Sequence, residues 1–174
     1  MNTSEAVVIR PARVTDARAI KNLMEPFVRS GILLPRPLAD LYARTREFWV
    51  AEDSTGAIVG CVALSILWED LAEVRSLAVH PEHRLTGTGR RLVAAALGEA
   101  RRLGLPKVFA LTSIPEYFRK LGFVDVSMDA LPQKVFLDCV HCPKADDCDE
   151  VALIFECAHS LPASLLASAP GEGL

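Results

Sequence analysis

A glycine-rich turn between a β-rich run and a helical pattern most constrains how this chain folds. The run is AEVRSLAV, residues 72–79, and the turn is RLTGTG, residues 84–89. From Gly89 to Leu103 apolar residues recur at helical spacing, and Gly104 then ends the pattern. A glycine-rich turn that opens a helix can direct its backbone N–H groups at an anion. We therefore predict a strand, an anion-binding turn and a helix, in that order.

Further β-rich runs and helical patterns lie on both sides of this unit. The expected strands are Ala6–Arg10, 48–52, 57–67, 72–79, Lys107–Thr112, 123–126 and Glu150–Glu156. The expected helices are one after Thr15, one at Leu38–Arg46, one at Gly89–Leu103 and one at Pro115–Lys120. We expect Thr15 to cap the first helix and Pro26 to kink it or end it early. This order predicts an α/β fold whose mixed, mostly antiparallel sheet is flanked by helices.

Composition and charge exclude several classes of function. The chain has 174 residues, 51% of them hydrophobic and 24% charged, which is typical of one ordinary globular domain. Its net charge of −3 gives no reason to expect nucleic acid or an anionic membrane as a partner. No apolar run reaches the ~18 residues of a membrane span, and the N-terminus lacks the apolar core of a signal peptide. We therefore expect a cytoplasmic protein whose partners are small molecules.

Several interpretations of the glycine turn compete. A Walker loop needs the pattern G-x-x-x-x-G-K-[ST], and the residues from Gly87 to Arg91 lack both its lysine and its spacing. A dinucleotide fingerprint needs a third glycine, and Leu92 stands at that position. The remaining alternatives are a plain strand-to-helix turn and a phosphate site of another kind.

The residues around the turn resemble one acetyltransferase family. The stretch from Arg84 to Gly89, preceded by SLAVHPEHR, resembles the R/Q-x-x-G-x-G/A acyl-CoA motif of the GNAT acetyltransferases, and EYFRKLGF (Glu116–Phe123) resembles a late helix of that family. The resemblance covers about residues 6–156 and implies the GNAT acyl-CoA N-acyltransferase fold. It also implies that the turn's amides hold the pyrophosphate of acetyl-CoA, because glycines let the pyrophosphate approach the backbone closely.

The resemblance assigns the acetyl-CoA contacts to three short segments. The expected cofactor-binding residues are Leu77, Ala78, Val79, Arg84, Leu85, Thr86, Gly87, Thr88, Gly89, Arg90, Phe118 and Lys120. Among them, the backbone N–H groups of residues 77–79 are the expected donors to the oxyanion that develops during acetyl transfer, because the family places a strand bulge there.

Several further segments resemble the acetyltransferase domain of bacterial N-acetylglutamate synthases. They include SGILLPRPLADLYARTREFWV, KVFALTS and DALPQK. The chain resembles a short, stand-alone form, with a GNAT domain at residues 1–157 that includes a cysteine-rich loop at 138–149, and a flexible C-terminal tail at 158–174. The resemblance implies acetyl transfer to the α-amino group of L-glutamate, the first step of arginine biosynthesis. Two alternatives stay open: acetylation of another small amine or amino acid, and a non-catalytic sensor that binds acetyl-CoA.

Glu73 and Tyr117 are the candidate catalytic residues. An α-ammonium must lose a proton before its nitrogen attacks a thioester. In similar acetyltransferases an acid at the place of Glu73 acts as general base, often through water, and the alternative is an exposed carboxylate at a strand end. Many family members carry a tyrosine where this chain has Phe118, and Tyr117 precedes it by one residue. One residue is a rotation of about 100° on a helix, so the general acid stays open.

An acceptor with two carboxylates requires fixed cations in its site. Arg36 lies in a proline-rich loop that the similar enzymes use for their amino-acid pocket, and Leu34 belongs to the same loop. Arg75 alternates with Glu73 along one strand, so both side chains lie on one face. Arg75 is therefore either an acceptor ligand or the ion-pair partner of Glu73, and Ser113 is a further candidate for the pocket.

Three cysteines lie close together late in the chain. Cys139 and Cys142 form a C-x-x-C pair, and Cys148 supplies a third thiolate. This spacing is typical of half a zinc site, which predicts a zinc ion on the three sulfurs. The alternatives are a reduced surface loop and a regulatory redox thiol. The sequence leaves the oligomeric state open, a homodimer included.

Overall fold

The structure is a computed structural model that describes residues 7–131 and 139–157. Its strands are β1 (Val8–Pro11), β2 (Phe48–Glu52), β3 (Ile58–Trp68), β4 (Leu71–Val79), β5 (Lys107–Thr112), β6 (Val124–Asp125) and β7 (Val151–Glu156). Its α-helices are α1 (Ala17–Arg29), α2 (Leu38–Ala43), α3 (Thr88–Arg102) and α4 (Pro115–Lys120).

Within the described residues, all strands join one mixed sheet in the order β1-β2-β3-β4-β5-β7-β6. Every neighbouring pair is antiparallel except β4 and β5, which are parallel and are connected through α3. The expected α/β fold with a mixed, mostly antiparallel sheet and flanking helices is confirmed.

Helices cover both faces of the sheet. Alternate residues of a strand point to opposite faces, so neighbours in β3 belong to different cores. On one face α3 and α4 pack through a core that includes Val62, Leu92 and Phe118. On the other face α1 and α2 pack through a core that includes Leu41 and Cys61. Since both faces are covered, a ligand reaches the sheet only at the ends of its strands or where two strands separate.

β4 and β5 pair over only three residues each. Residues 71–73 of β4 face residues 107–109 of β5. Beyond this point β5 stays paired with β7 as far as Thr112, while β4 stays paired with β3 as far as Val79. The two parallel strands therefore separate after Glu73 and Phe109, which creates an opening within the sheet.

A β-bulge in β4 borders this opening. The pairing of β3 with β4 shifts between Cys61 and Ala63, where two residues of β4, Ser76 and Leu77, face one residue of β3. Ser76 has a φ of +56°, which residues other than glycine adopt rarely. The Cys61 thiol donates a hydrogen bond to the Ser76 carbonyl at 3.5 Å. The bulge thus changes the course of β4 where that strand has left β5.

The expected cap of the first helix and its early end at Pro26 are wrong, and the kink at Pro26 stays a prediction. Thr15 lies in a 3-10 turn and does not cap α1, because the carboxylate of Asp16 accepts the backbone N–H of Arg13 at 2.7 Å instead. Pro26 lies inside α1, and the helix continues to Arg29 rather than ending early. A proline in this position removes one intrahelical hydrogen bond, and the turns before it, whose apolar side chains are buried, hold the helix.

The second helix is shorter than the sequence pattern indicates. α2 ends at Ala43, and a 3-10 turn over Thr45–Glu47 follows. The Thr45 hydroxyl donates to the carbonyl of Leu41 at 3.0 Å, a local side-chain bond that competes with continuation of the helix.

The expected C-terminal tail at 158–174 lies outside the described residues, as does residue 138 at the start of the cysteine-rich loop. Among the helices of the described ranges, none has the length and apolarity that crossing a membrane requires.

Gly60 provides a test of the packing between β3 and α3. A Cβ at this position would lie 2.9 Å from Cδ1 of the fully buried Leu92 and 3.1 Å from the Ala51 Cβ. We expect Gly60→Ala to lower the free energy of unfolding by about 1–3 kcal/mol, the usual cost of overpacking, measured by urea denaturation.

Gly98, inside α3, is the matched control. A Cβ there meets only Arg102 Nη1, at 3.9 Å. Gly98→Ala should therefore raise the free energy of unfolding by up to about 1 kcal/mol, because alanine favours helix more than glycine does. Equal effects of the two substitutions would contradict the described packing.

Candidate active site

The opening between β4 and β5 is bordered by the start of α3 and by α4. A Cβ built on Gly89, in the first turn of α3, would lie 2.6 Å from the Tyr117 hydroxyl and 3.5 Å from Val79 Cγ2. The end of β4, the first turn of α3 and α4 therefore meet at one place. The glycine at position 89 makes this close approach possible.

One backbone amide of β4 faces the opening. The His80 N–H donates to the Val59 carbonyl at 2.8 Å, so His80 directs its backbone groups toward β3. In an antiparallel pair, alternate residues face the same neighbour, so Ala78 also faces β3 and Val79 directs its N–H to the opposite side. Of the expected oxyanion donors, Val79 therefore directs its N–H away from β3, whereas Ala78 faces β3 with its backbone and has a buried side chain.

The glycine-rich turn leaves the start of α3 without a side-chain cap. Gly87 is the N-cap residue, with a φ of +83°, and no side chain bonds to the first N–H groups of the helix from that position. Those groups retain the partial positive charge of a helix N-terminus. This backbone geometry is compatible with an anion, and the pyrophosphate site at the turn stays a prediction.

Among the side chains of the turn, the threonines contact the turn itself and Arg84 contacts α1. The Thr86 hydroxyl donates to the His83 carbonyl at 2.6 Å and lies 2.8 Å from the Thr88 hydroxyl. Leu85 is fully exposed, and the Arg84 guanidinium lies 5.5 Å from the centre of an α1 ring. These contacts shape the backbone and leave its amides as the groups that can receive an anion.

Glu73 lies where β4 and β5 separate and is only 4% exposed. The alternative of an exposed strand-end carboxylate is therefore wrong. Arg75 Nη1 donates to Glu73 Oε2 at 3.4 Å, so the ion pair, one of the two alternatives for Arg75, is present, and the role of Arg75 as an acceptor ligand stays a prediction. A buried carboxylate at the edge of the opening has the position that a general base requires.

Arg36 approaches the same site from the loop before α2. It is 7% exposed, and its Nη1 is buried without a hydrogen-bond acceptor among the described residues. Burial lowers the pKa of Arg36, and the positive charge of Arg75 lowers it further. The two guanidinium groups are thus within electrostatic range of one another. Leu34, in the same loop, and Ser113, after β5, are both exposed.

Asp40 and Phe48 are two site residues that sequence reasoning missed. Asp40 Oδ2 lies 3.3 Å from Arg36 Nε, and the Phe48 ring centre lies 5.4 Å from the guanidinium carbon. Arg36 precedes the helical pattern that contains Asp40, so the four-residue spacing gave no helical signal for the ion pair. No local signal indicates the contact with Phe48, which arises from tertiary packing.

Tyr117 and Phe118 occupy different environments. Tyr117 directs its hydroxyl at the first turn of α3, and burial raises its pKa, an effect that Arg90 partly opposes. Phe118 is buried in the core, 5.3 Å from the ring of Phe123. Lys120 is exposed at the end of α4. The roles of Tyr117 as general acid and of Phe118 and Lys120 as cofactor contacts stay predictions.

The described residues do not support the predicted zinc site. Cys139 and Cys142 bracket a single 3-10 turn, and Cys148 is exposed beyond a second one. Residues 139–157 contain all three cysteines, and within them and the other described residues no cluster of three or more His, Cys, Asp and Glu side chains can hold a metal ion. The spacing suits a metal, but the thiols do not converge. Lys144 Nζ instead donates to the Gly31 carbonyl at 2.5 Å, which brings this segment against the loop before α2.

Comparisons with known proteins agree with this geometry. Residues 44–125 match the family described as "Acetyltransferase (GNAT) domain". The chain is 38% identical to an uncharacterised N-acetyltransferase of Chlorobaculum tepidum, over 84% of this chain and 94% of that protein. It is 42% identical to the amino-acid acetyltransferase of Mycobacterium tuberculosis, over 74% of this chain and 75% of that protein.

The fold is also similar to a solved structure. N-acetylglutamate synthase from Neisseria gonorrhoeae, complexed with coenzyme A and N-acetyl-glutamate, gives a TM-score of 0.76 at 30% identity. The match covers 88% of this chain and 36% of that longer protein.

Gly87 and Gly104 provide a matched test of the turn, because they lie at opposite ends of α3 with similar positive φ values, +83° and +75°. Valine strains the backbone at either position, but only at 87 would it obstruct an anion at the helix N-terminus. We expect Gly87→Val to weaken coenzyme A binding by at least about tenfold in calorimetry, a loss of about 1.4 kcal/mol. Gly104→Val should retain the affinity, and equal losses would contradict an anion site at the turn.

Proposed function

The chain belongs to the GNAT acetyltransferase family, and from that premise we propose that it transfers the acetyl group of acetyl-CoA to the α-amino group of L-glutamate. The observation that carries this proposal is the ion pair of Arg75 with the buried Glu73 where β4 and β5 separate, together with the buried guanidinium of Arg36 on the loop before α2. The names of the amino-acid acetyltransferase and N-acetylglutamate synthase relatives support the same class of acceptor.

The turn and the opening would hold acetyl-CoA. Its pyrophosphate suits the uncapped N-terminus of α3 at Gly87, where backbone N–H groups and the helix dipole both favour negative charge. Its acyl arm would enter the opening toward Glu73. Val79 directs a backbone N–H into that opening, where a donor stabilises negative charge that develops on the thioester oxygen.

Glu73 would take the proton that the acceptor ammonium must lose. The Glu73 carboxylate lies at the edge of the opening and is almost fully buried, and Arg75 donates a hydrogen bond to one of its oxygens. A general base must be within hydrogen-bond reach of the proton, directly or through one water. Glu73 meets this requirement for an amine that enters at the point of strand separation.

The charge of the site favours an acceptor with more than one carboxylate. The positive charge of Arg75 lowers the pKa of Arg36, and a bound anion would offset that effect. Arg75 contacts Glu73 through Nη1, and Nη1 of Arg36 is buried without an acceptor among the described residues. Charge-assisted bonds from arginine match the planar geometry of a carboxylate. We therefore assign the acceptor carboxylates to Arg36 and Arg75, with Leu34 and Ser113 at the rim of the pocket.

The cellular part of the proposal follows from the product. N-acetylglutamate formed in the cytoplasm would begin arginine biosynthesis, and the expected partners are small molecules alone. The homodimer stays a prediction.

Glu73→Gln tests the base. The substitution keeps the shape of the side chain and removes its proton acceptor. We expect turnover to fall by about 10²- to 10⁴-fold, the usual contribution of general base catalysis, while the affinity for coenzyme A stays unchanged. Glu69→Gln is the control, because Glu69 is an exposed carboxylate in the same β3–β4 hairpin. Full turnover of the Glu73 variant would leave that residue a structural one.

A panel of acceptors tests the proposed function itself. The release of free thiol from acetyl-CoA is measured with L-glutamate, L-glutamine, L-aspartate and a neutral primary amine. We expect L-glutamate to give the highest kcat/KM, by about tenfold or more over L-glutamine, because a lost charge-assisted bond costs about 1.5–3 kcal/mol. An equal or higher value for L-glutamine or the neutral amine would contradict the glutamate assignment.

A further inference from the structure

Asp40 holds the guanidinium of Arg36 from one side. It lies on α2, four residues after Arg36, and its Oδ2 is 3.3 Å from Arg36 Nε. Its other oxygen, Oδ1, accepts a hydrogen bond from Arg44 Nε at 2.9 Å. Each carboxylate oxygen therefore engages a different arginine, which fixes the orientation of Asp40 itself.

Phe48 and Asp40 together leave one edge of the guanidinium for another ligand. The Phe48 ring lies 5.4 Å from the guanidinium carbon, and Asp40 takes the Nε edge. A guanidinium carries its five N–H donors in a rigid plane, so these contacts set the direction of the remaining ones. Nη1 is one of those, and it is buried with no acceptor in the part of the chain that the structure describes.

This ion pair differs from the exposed pairs on the same protein. Exposed pairs contribute little because water screens them. The Arg36 side chain is only 5% exposed, whereas Arg44 is 47% exposed. Burial and the charge of Arg75 both act against the charged form of Arg36, and the carboxylates of Asp40 and Glu47 act in its favour. Asp40 is the one of these two carboxylates for which a contact with Arg36 is described.

We propose that Asp40 is a positioning residue that orients Arg36 toward a carboxylate of the acceptor and thereby sets the KM for that acceptor. The proposal rests on the proposed function, because it takes Arg36 to be an acceptor ligand. Asp40 acts through Arg36 and touches neither acetyl-CoA nor the reacting atoms. Its loss should therefore change acceptor binding selectively.

Asp40→Asn tests this role, since it keeps the shape of the side chain and removes its charge. We expect the KM for L-glutamate to rise by roughly tenfold or more, which is the usual effect of losing one charge-assisted bond, here the bond from Arg36 to the acceptor. The KM for acetyl-CoA, the kcat at saturating L-glutamate and the melting temperature should stay near their wild-type values. Glu99→Gln is the control, because it removes the charge from an exposed ion pair with Arg102 on α3 and should leave the KM for L-glutamate unchanged.

A double-mutant cycle with Arg36→Ala shows whether Asp40 acts through Arg36. If it does, Asp40→Asn raises the KM for L-glutamate in the wild-type background and has no further effect in the Arg36→Ala background. Equal fold-changes in both backgrounds would overturn the proposal, as would an unchanged KM in Asp40→Asn. A parallel rise of both KM values with a lower melting temperature would also overturn it, since that pattern indicates a structural role.

The two claims fail in distinguishable ways. A wild-type enzyme that does not prefer L-glutamate over L-glutamine contradicts the proposed function, whatever Asp40 does. A wild-type enzyme that prefers L-glutamate, combined with an Asp40→Asn variant of unchanged KM, contradicts only the positioning role.

Discussion

The short pairing of β4 with β5 is the constraint on which the candidate site depends. The strands share only three residues of ladder before each continues with its other neighbour. An opening therefore forms inside the sheet, where the backbone groups of neighbouring strands normally form hydrogen bonds with one another. The Val79 N–H and the first turn of α3 border that opening, and Glu73 lies where it begins. Helices pack on both faces of the sheet beside this opening.

Two of the charged groups at the site, Arg36 and Arg75, carry the same charge and so disfavour one another. Burial lowers the pKa of Arg36, and the positive charge of Arg75 lowers it further. A carboxylate lies beside each guanidinium, Asp40 beside Arg36 and Glu73 beside Arg75. The site thus has a compensated charge without a ligand and keeps donors for a ligand that brings carboxylates. This explains how an acidic acceptor can bind to a protein whose net charge is −3.

Local patterns predicted what depends on local geometry. The alternation of a strand placed Glu73 beside Arg75, and the glycine spacing located the turn before α3. Features that depend on contacts between distant residues could not be predicted from the sequence. They are the left-handed backbone of Ser76, the ring of Phe48 against Arg36, and the burial of Glu73. For the cysteines, a local pattern predicted a site that depends on distant contacts. C-x-x-C spacing is compatible with zinc but does not determine whether a third thiol lies close to the first two. One residue of helical phase separates Tyr117 from Phe118, and only packing decided which of them entered the core.

A crystal structure of the protein with coenzyme A and N-acetyl-L-glutamate tests the central claim most directly. The account predicts electron density for the pyrophosphate on the backbone amides at the start of α3. It also predicts the acetyl group in the opening beside Glu73, with the glutamate carboxylates on Arg36 and Arg75. Pyrophosphate density away from this turn, or carboxylates bound without either arginine, would contradict the account.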